Sequence, residues 1–116
     1  MAERDNIASR LRHRIILQQP DLSAGEGGQY SVEWQDVATL WAEVTPLESR
    51  SPAVEVVRDA QLTARVSHEI ILRYREGVTA DMRVAMDGRH FNIRSVVNSG
   101  ERNRLLRLLA EEQAAV

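Results

Sequence analysis

Along most of this chain apolar and polar positions alternate with the period of two that a half-buried strand requires. The breaks in that alternation divide the chain into segments. From Arg14 onward, Ile15, Leu17 and Gln19 fall on one face, Arg14, Ile16 and Gln18 fall on the other, and Pro20 ends the run. Trp34 to Pro46 is the next ordered block. There Leu40, Ala42 and Val44 alternate with Trp41, Glu43 and Thr45 up to Pro46. Between residues 65 and 75, Val66, His68, Ile70, Leu72 and Tyr74 point one way, while Ser67, Glu69, Ile71 and Arg73 point the other. Met82, Val84 and Met86 continue at period two. Asp87-Gly88 is the strongest hairpin signal in the chain, and Phe91, Ile93, Ser95 and Val97 form the returning strand before a turn at Asn98 to Gly100.

Three segments break the pattern. Residues 20–30 hold Gly25, Gly27 and Gly28, half of the six glycines, and predict a long mobile loop. Over residues 48–62 the polarity is mixed. Ser51-Pro52 is a plausible helix start, because the serine caps and the missing proline N–H costs nothing in a first turn. The valines that follow lower helix propensity, so order there depends on contacts made elsewhere. The stretch from Glu101 to Glu112 is ambiguous: Leu105, Leu106, Leu108 and Leu109 suit a helix by spacing and equally suit a strand buried on both faces. Five or six successive strands joined by tight turns predict a mainly β fold. We expect one domain over residues 1–116, a small β-barrel with long loop excursions and one or two short helices.

Composition narrows the function. With 116 residues, 43% apolar and 28% charged, the chain matches an ordinary globular domain. It has no apolar run that reads as a secretory signal or a membrane helix, so a soluble protein is expected. The lack of cysteine excludes disulfide scaffolds and thiol nucleophiles. All 15 basic residues are arginine, set against 17 acids, for a net charge of −2. That balance argues against a protein whose main task is gripping phosphates. The N-terminal stretch is locally basic. Arg4, Arg10 and Arg12 form either a solvated helix face or an arm that docks on an acidic partner.

Little in the sequence points to chemistry. His13, His68 and His90 are far apart and have no ligand spacing, and His68, on an apolar face, reads as a hydrogen-bonded core histidine. Nucleophile-elbow, phosphate-loop and zinc-protease motifs are missing, Glu111-Glu112 reads as a solvated acidic tail, and neither an enzyme nor a cofactor is expected. A single-strand nucleic-acid barrel is the alternative from another class. It needs stacked aromatic platforms, and Tyr30, Trp34, Trp41, Tyr74 and Phe91 offer no i, i+2 pair.

Four stretches in order resemble the phage head-closure family, also called head–tail adaptor, stopper or head completion proteins. They are Leu11-Arg-His-Arg-Ile-Ile-Leu-Gln18, Trp34-Gln-Asp-Val-Ala-Thr-Leu-Trp-Ala-Glu-Val-Thr-Pro-Leu47, Val66-Ser-His-Glu-Ile-Ile-Leu-Arg-Tyr-Arg75 with Gly77-Val78, and Met82-Arg-Val-Ala-Met-Asp-Gly-Arg-His-Phe-Asn-Ile93 with the leucine pairs. His13, Trp41, His68, Tyr74, Asp87, Gly88 and Phe91 are the motif positions this resemblance marks as structural. The pattern departs from the family at Glu69, where a base is expected, and around Ser51 to Ala53, which lack an aromatic. The resemblance implies a virion protein of the head–tail junction, synthesised in the bacterial host cytoplasm. It also implies a ring of about twelve copies, closed by one repeated pair of patches. Implied partners are the portal or adaptor ring, a tail completion or terminator protein, and double-stranded DNA in the channel, with no membrane. One excursion reaches the axis to hold packaged DNA. Of the two, residues 48–62 are the better candidate, since Arg50, Val54, Val56, Val57 and Arg58 suit contact with ring neighbours; a helix packed on the barrel's own end is the competing reading. The resemblance also favours a strand over residues 103–110. Tail completion, or the same part in a gene transfer particle, is the related alternative.

Overall fold

The computed structural model describes residues 8–21, 33–47 and 66–113. Expectations for Arg4, for the glycines of 20–30 beyond Asp21 and for the 48–62 excursion concern residues outside that set. Residues 8–10 are helical. Six strands follow: β1 (His13–Asp21), β2 (Glu33–Pro46), β3 (His68–Arg73), β4 (Arg83–Met86), β5 (Arg89–Asn98) and β6 (Leu105–Glu112). They close into an antiparallel barrel in the order β1-β2-β3-β6-β5-β4, with β4 returning to β1 through Ile16–Ala85, Leu17–Val84 and Gln18–Arg83. The expected mainly β barrel is the observed fold.

The period-two positions fill its interior. Ile15, Leu17, Ala42, Ile70, Leu72, Val84, Phe91, Ile93, Leu106, Leu108 and Ala110 are buried together. Leu40, Val44, Tyr74 and Val96 pack against them. The hairpin at Asp87-Gly88 has both residues at positive φ (51° and 77°), the backbone a tight two-residue turn between right-twisted strands requires.

Four details differ from the sequence reading. Pro20 does not end its strand, because β1 runs on to Asp21 paired with β2 alone; beyond Gln18 there is no β4 neighbour to require the missing N–H. Gln19 is exposed and leaves the Ile15 and Leu17 face, because the register shifts at Leu17/Gln18. A second shift between Ile93 and Ser95 turns Val96 to the core and leaves Val97 exposed. Glu111-Glu112 is the end of β6, not a solvated tail, and pairs with arginines of β5.

The leucine-rich stretch is a strand, and its pattern has a simple cause. Leu106, Leu108 and Ala110 face the barrel interior, while Leu109 on the other face is covered with Val66 beside Leu47. A strand buried on both faces loses its alternation.

Candidate assembly surfaces

The strand ends that flank residues 22–32 and 48–65 are braced at opposite ends of the barrel. Residues 22–32 are carried by a two-stranded ribbon, in which Pro20 pairs with Trp34 and Asp21 with Glu33 past the end of β4. Arg83 of β4 holds the base of that ribbon. Its guanidinium lies 4.3 Å from the Trp34 ring, and its Nε donates to Gln18 Oε1 at 2.7 Å. Gln18 in turn donates to Asp36 at 2.8 Å. Burial without a carboxylate partner lowers the Arg83 pKa from the ordinary guanidinium value. Arginine tolerates this because its planar group stacks on aromatic faces and stays charged.

Leu47 and Ser67, on either side of residues 48–65, meet at the opposite end. The Leu47 amide donates to the Ser67 carbonyl at 2.9 Å, and the Ser67 amide donates to the Ala110 carbonyl at 2.9 Å. Beside this root sits His68, 7% exposed, with its ring edge-on to Phe91 at 4.9 Å. Its Nδ1 is 2.8 Å from Ser67 Oγ, which also accepts the Glu112 amide at 2.8 Å. Its Nε2 is 3.4 Å from the Arg89 guanidinium. A permanently cationic Arg89 can only donate, so the network closes with the proton on Nδ1 and the Nε2 lone pair facing Arg89. Burial, with a smaller push from Arg89, lowers the His68 pKa against the opposing pull of Glu112. His68 is therefore the hydrogen-bonded core histidine the sequence predicts.

Arginine–carboxylate pairs line the barrel wall, three of them between neighbouring strands. Arg10 forks onto Glu43 at 2.6 and 3.0 Å, and Arg89 onto Glu112 at 2.8 and 3.1 Å. Arg94 pairs with Glu111, and Arg107 lies 3.7 Å from Glu69. Glu69, the departure from the family pattern, thus finds its base on β6. Local sequence hides these pairs because the partners are far apart in the chain and meet only in the folded barrel. Of the N-terminal arginines proposed for docking, Arg10 is held by Glu43, and Arg12 donates to the Ser9 carbonyl at 2.6 Å.

The marked motif positions scatter. Phe91 fills the core, Tyr74 packs against it with its amide bonded to the Arg104 carbonyl at 2.9 Å, and His13 is exposed at the start of β1. Trp41, in contrast, is 52% exposed on the outer wall under the Arg14 guanidinium, 4.9 Å from its ring. With Phe91 inside, Trp41 is the one exposed aromatic among the described residues, so the wall has no stacking ladder for bases. No group of three or more metal-binding side chains occurs among the described residues, and no described helix is long and apolar enough to cross a membrane.

Comparison with known proteins agrees with this architecture. No curated protein matches the chain. The solution structure of a Shigella flexneri 2a protein matches at a TM-score of 0.71 with 27% identity, over 92% of this chain and 96% of that one. A chain from the virion of a native gene transfer agent particle shares the fold, at a TM-score of 0.62 and 22% identity over 91% of this chain and 98% of that one. The phage head completion protein family matches residues 7–113, a span that takes in all six strands and both braced roots. This chain therefore belongs to the phage head completion protein family.

Proposed function

We propose that the chain is the head-closure, or stopper, subunit of a phage neck. It is a virion protein of a structural family and associates with other virion proteins. In this reading copies form a ring at the head–tail junction, close the channel over packaged DNA and present the surface to which the tail attaches. The carrying observation is the family match over the whole barrel, joined to a fold in which the strand ends flanking residues 22–32 and 48–65 lie at opposite ends. Insertions so placed suit a ring that must touch a partner above and another below. The 48–62 excursion, with Arg50, Val54, Val56, Val57 and Arg58, is the candidate gate or subunit contact; Gly25, Gly27 and Gly28 lie in the other insertion. The near-neutral charge suits a ring that lets DNA pass without holding it.

The gene transfer agent likeness favours a second reading with the same part played in a gene transfer particle. Deleting the gene tests the proposal. Heads that fill but lose DNA and stay tailless, restored by the full chain in trans, are expected. Particles that retain DNA and join tails normally overturn it.

A further inference from the structure

A row of outward side chains crosses four neighbouring strands of the barrel wall. Arg14 on β1 pairs with Trp41 on β2, and Arg73 on β3 pairs with Leu105 on β6. The β2–β3 register, Ala42 opposite Leu72, brings Trp41 alongside Arg73. Leu11, Trp41 and Arg73 together line a shallow depression on this wall. Neither Arg14 nor Arg73 is in an ion pair among the described residues, although the neighbouring Glu43 and Glu69 are each matched to an arginine. The row is thus an exposed indole with an unmatched guanidinium on either side. Aromatic and arginine side chains arranged in this way are the usual anchors of a protein contact.

The same chain holds a segment of complementary character. Residues 21–33 carry Asp21, Glu26 and Glu33, no basic residue, and the apolar anchors Leu22, Tyr30 and Val32. The Arg83 guanidinium on the Trp34 ring braces the Pro20–Trp34 and Asp21–Glu33 pairs that flank residues 22–32. Trp41 lies back along β2 from Glu33 by about 26 Å at ~3.3 Å per residue. The backbone from Asp21 to Glu26 spans no more than about 18 Å. The root of the segment and the row thus stand far apart on one subunit, and Trp41 is exposed, which favours a second copy as the place of contact.

We propose that the acidic 21–33 segment of one copy docks on the Arg14–Trp41–Arg73 row of the next. This inference rests on the ring reading above and supplies one of its contacts. A ring needs two different patches that complement each other on every subunit, and opposite charge around an apolar anchor meets that need.

The native chain lacks cysteine, so single cysteines report the contact directly. Full-length Glu26→Cys and Arg73→Cys proteins are mixed and oxidised. The expected result is a mixed disulfide dimer forming more than tenfold faster than with Asp81→Cys in place of Arg73→Cys. Trp41→Ala in the Arg73→Cys partner should abolish that advantage. The pair is also placed in one chain in assembled particles, where a ladder of cross-linked multimers is expected. Equal rates for the two pairs, a Trp41→Ala partner that cross-links as fast, or Arg73→Cys joining another virion protein each overturn the proposal. If copies still cross-link through other positions in particles, the ring reading stands while this contact fails. Particles with no contact between copies defeat both.

Discussion

Arg89 grips both carboxylate oxygens of Glu112, at 2.8 and 3.1 Å, and so ties the β4–β5 hairpin to the end of the last strand. The hydrogen bond to Glu112 raises the Arg89 pKa, and the same bond lowers that of Glu112. It also lies 5.0 Å from the Phe91 ring and so covers the core at that end. Both partners are partly exposed, so water screens much of their attraction. Arg89→Ala should cost about 1 kcal/mol, with the lost cover over Phe91 adding to the pair. Urea unfolding of the variant and of Glu112→Gln measures it.

Stability should depend on pH through His68. Its folded pKa is lowered, so the unfolded chain takes up a proton more readily than the folded one. Its contribution is therefore complete above the unfolded value of about 6.5 and is lost as pH falls from there toward the folded pKa. His68→Phe keeps an aromatic edge against Phe91 and should flatten that slope. Thermal melts between pH 5 and 7.5 test it, and an unchanged slope excludes His68 as its source.

Core truncation should be severe. Phe91 and Leu108 have no exposed surface, and Phe91→Ala should cost about 3–5 kcal/mol. A domain with total stability of about 5–15 kcal/mol then unfolds in mild denaturant. Val97→Ala, at an exposed site on the same strand, should move the midpoint by less than about 0.5 kcal/mol.

The hairpin glycine is needed for conformation and not for space. Gly88 sits at φ 77°, and a methyl group there would meet nothing within 4 Å, so Gly88→Ala should cost about 1 kcal/mol from backbone strain alone. Equilibrium unfolding gives the value, and hydrogen exchange of the Val84–Phe91 pair should quicken with it.

How much of this was legible in the sequence depended on whether the signal was local. β3 and the β4–β5 hairpin were readable because their inward residues keep strict alternation. β6 was not readable by spacing, since Leu109 is buried on the face opposite Leu108; only the family likeness favoured a strand there. The shift at Ile93/Ser95 left no mark in the sequence and exchanged the roles of Val96 and Val97. The forks Arg10–Glu43 and Arg89–Glu112 left no local mark either, since the first joins the N-terminal helical turn to β2 and the second meets through strand register.

The placement of β6 between β3 and β5 has a consequence for synthesis. Until Glu112 has left the ribosome, the strands on either side have no partner along those edges, and no closed sheet exists. Closure of the barrel thus waits for β6. A chain that stops before β6 keeps two open edges, along β3 and β5, which invite aggregation and quality control.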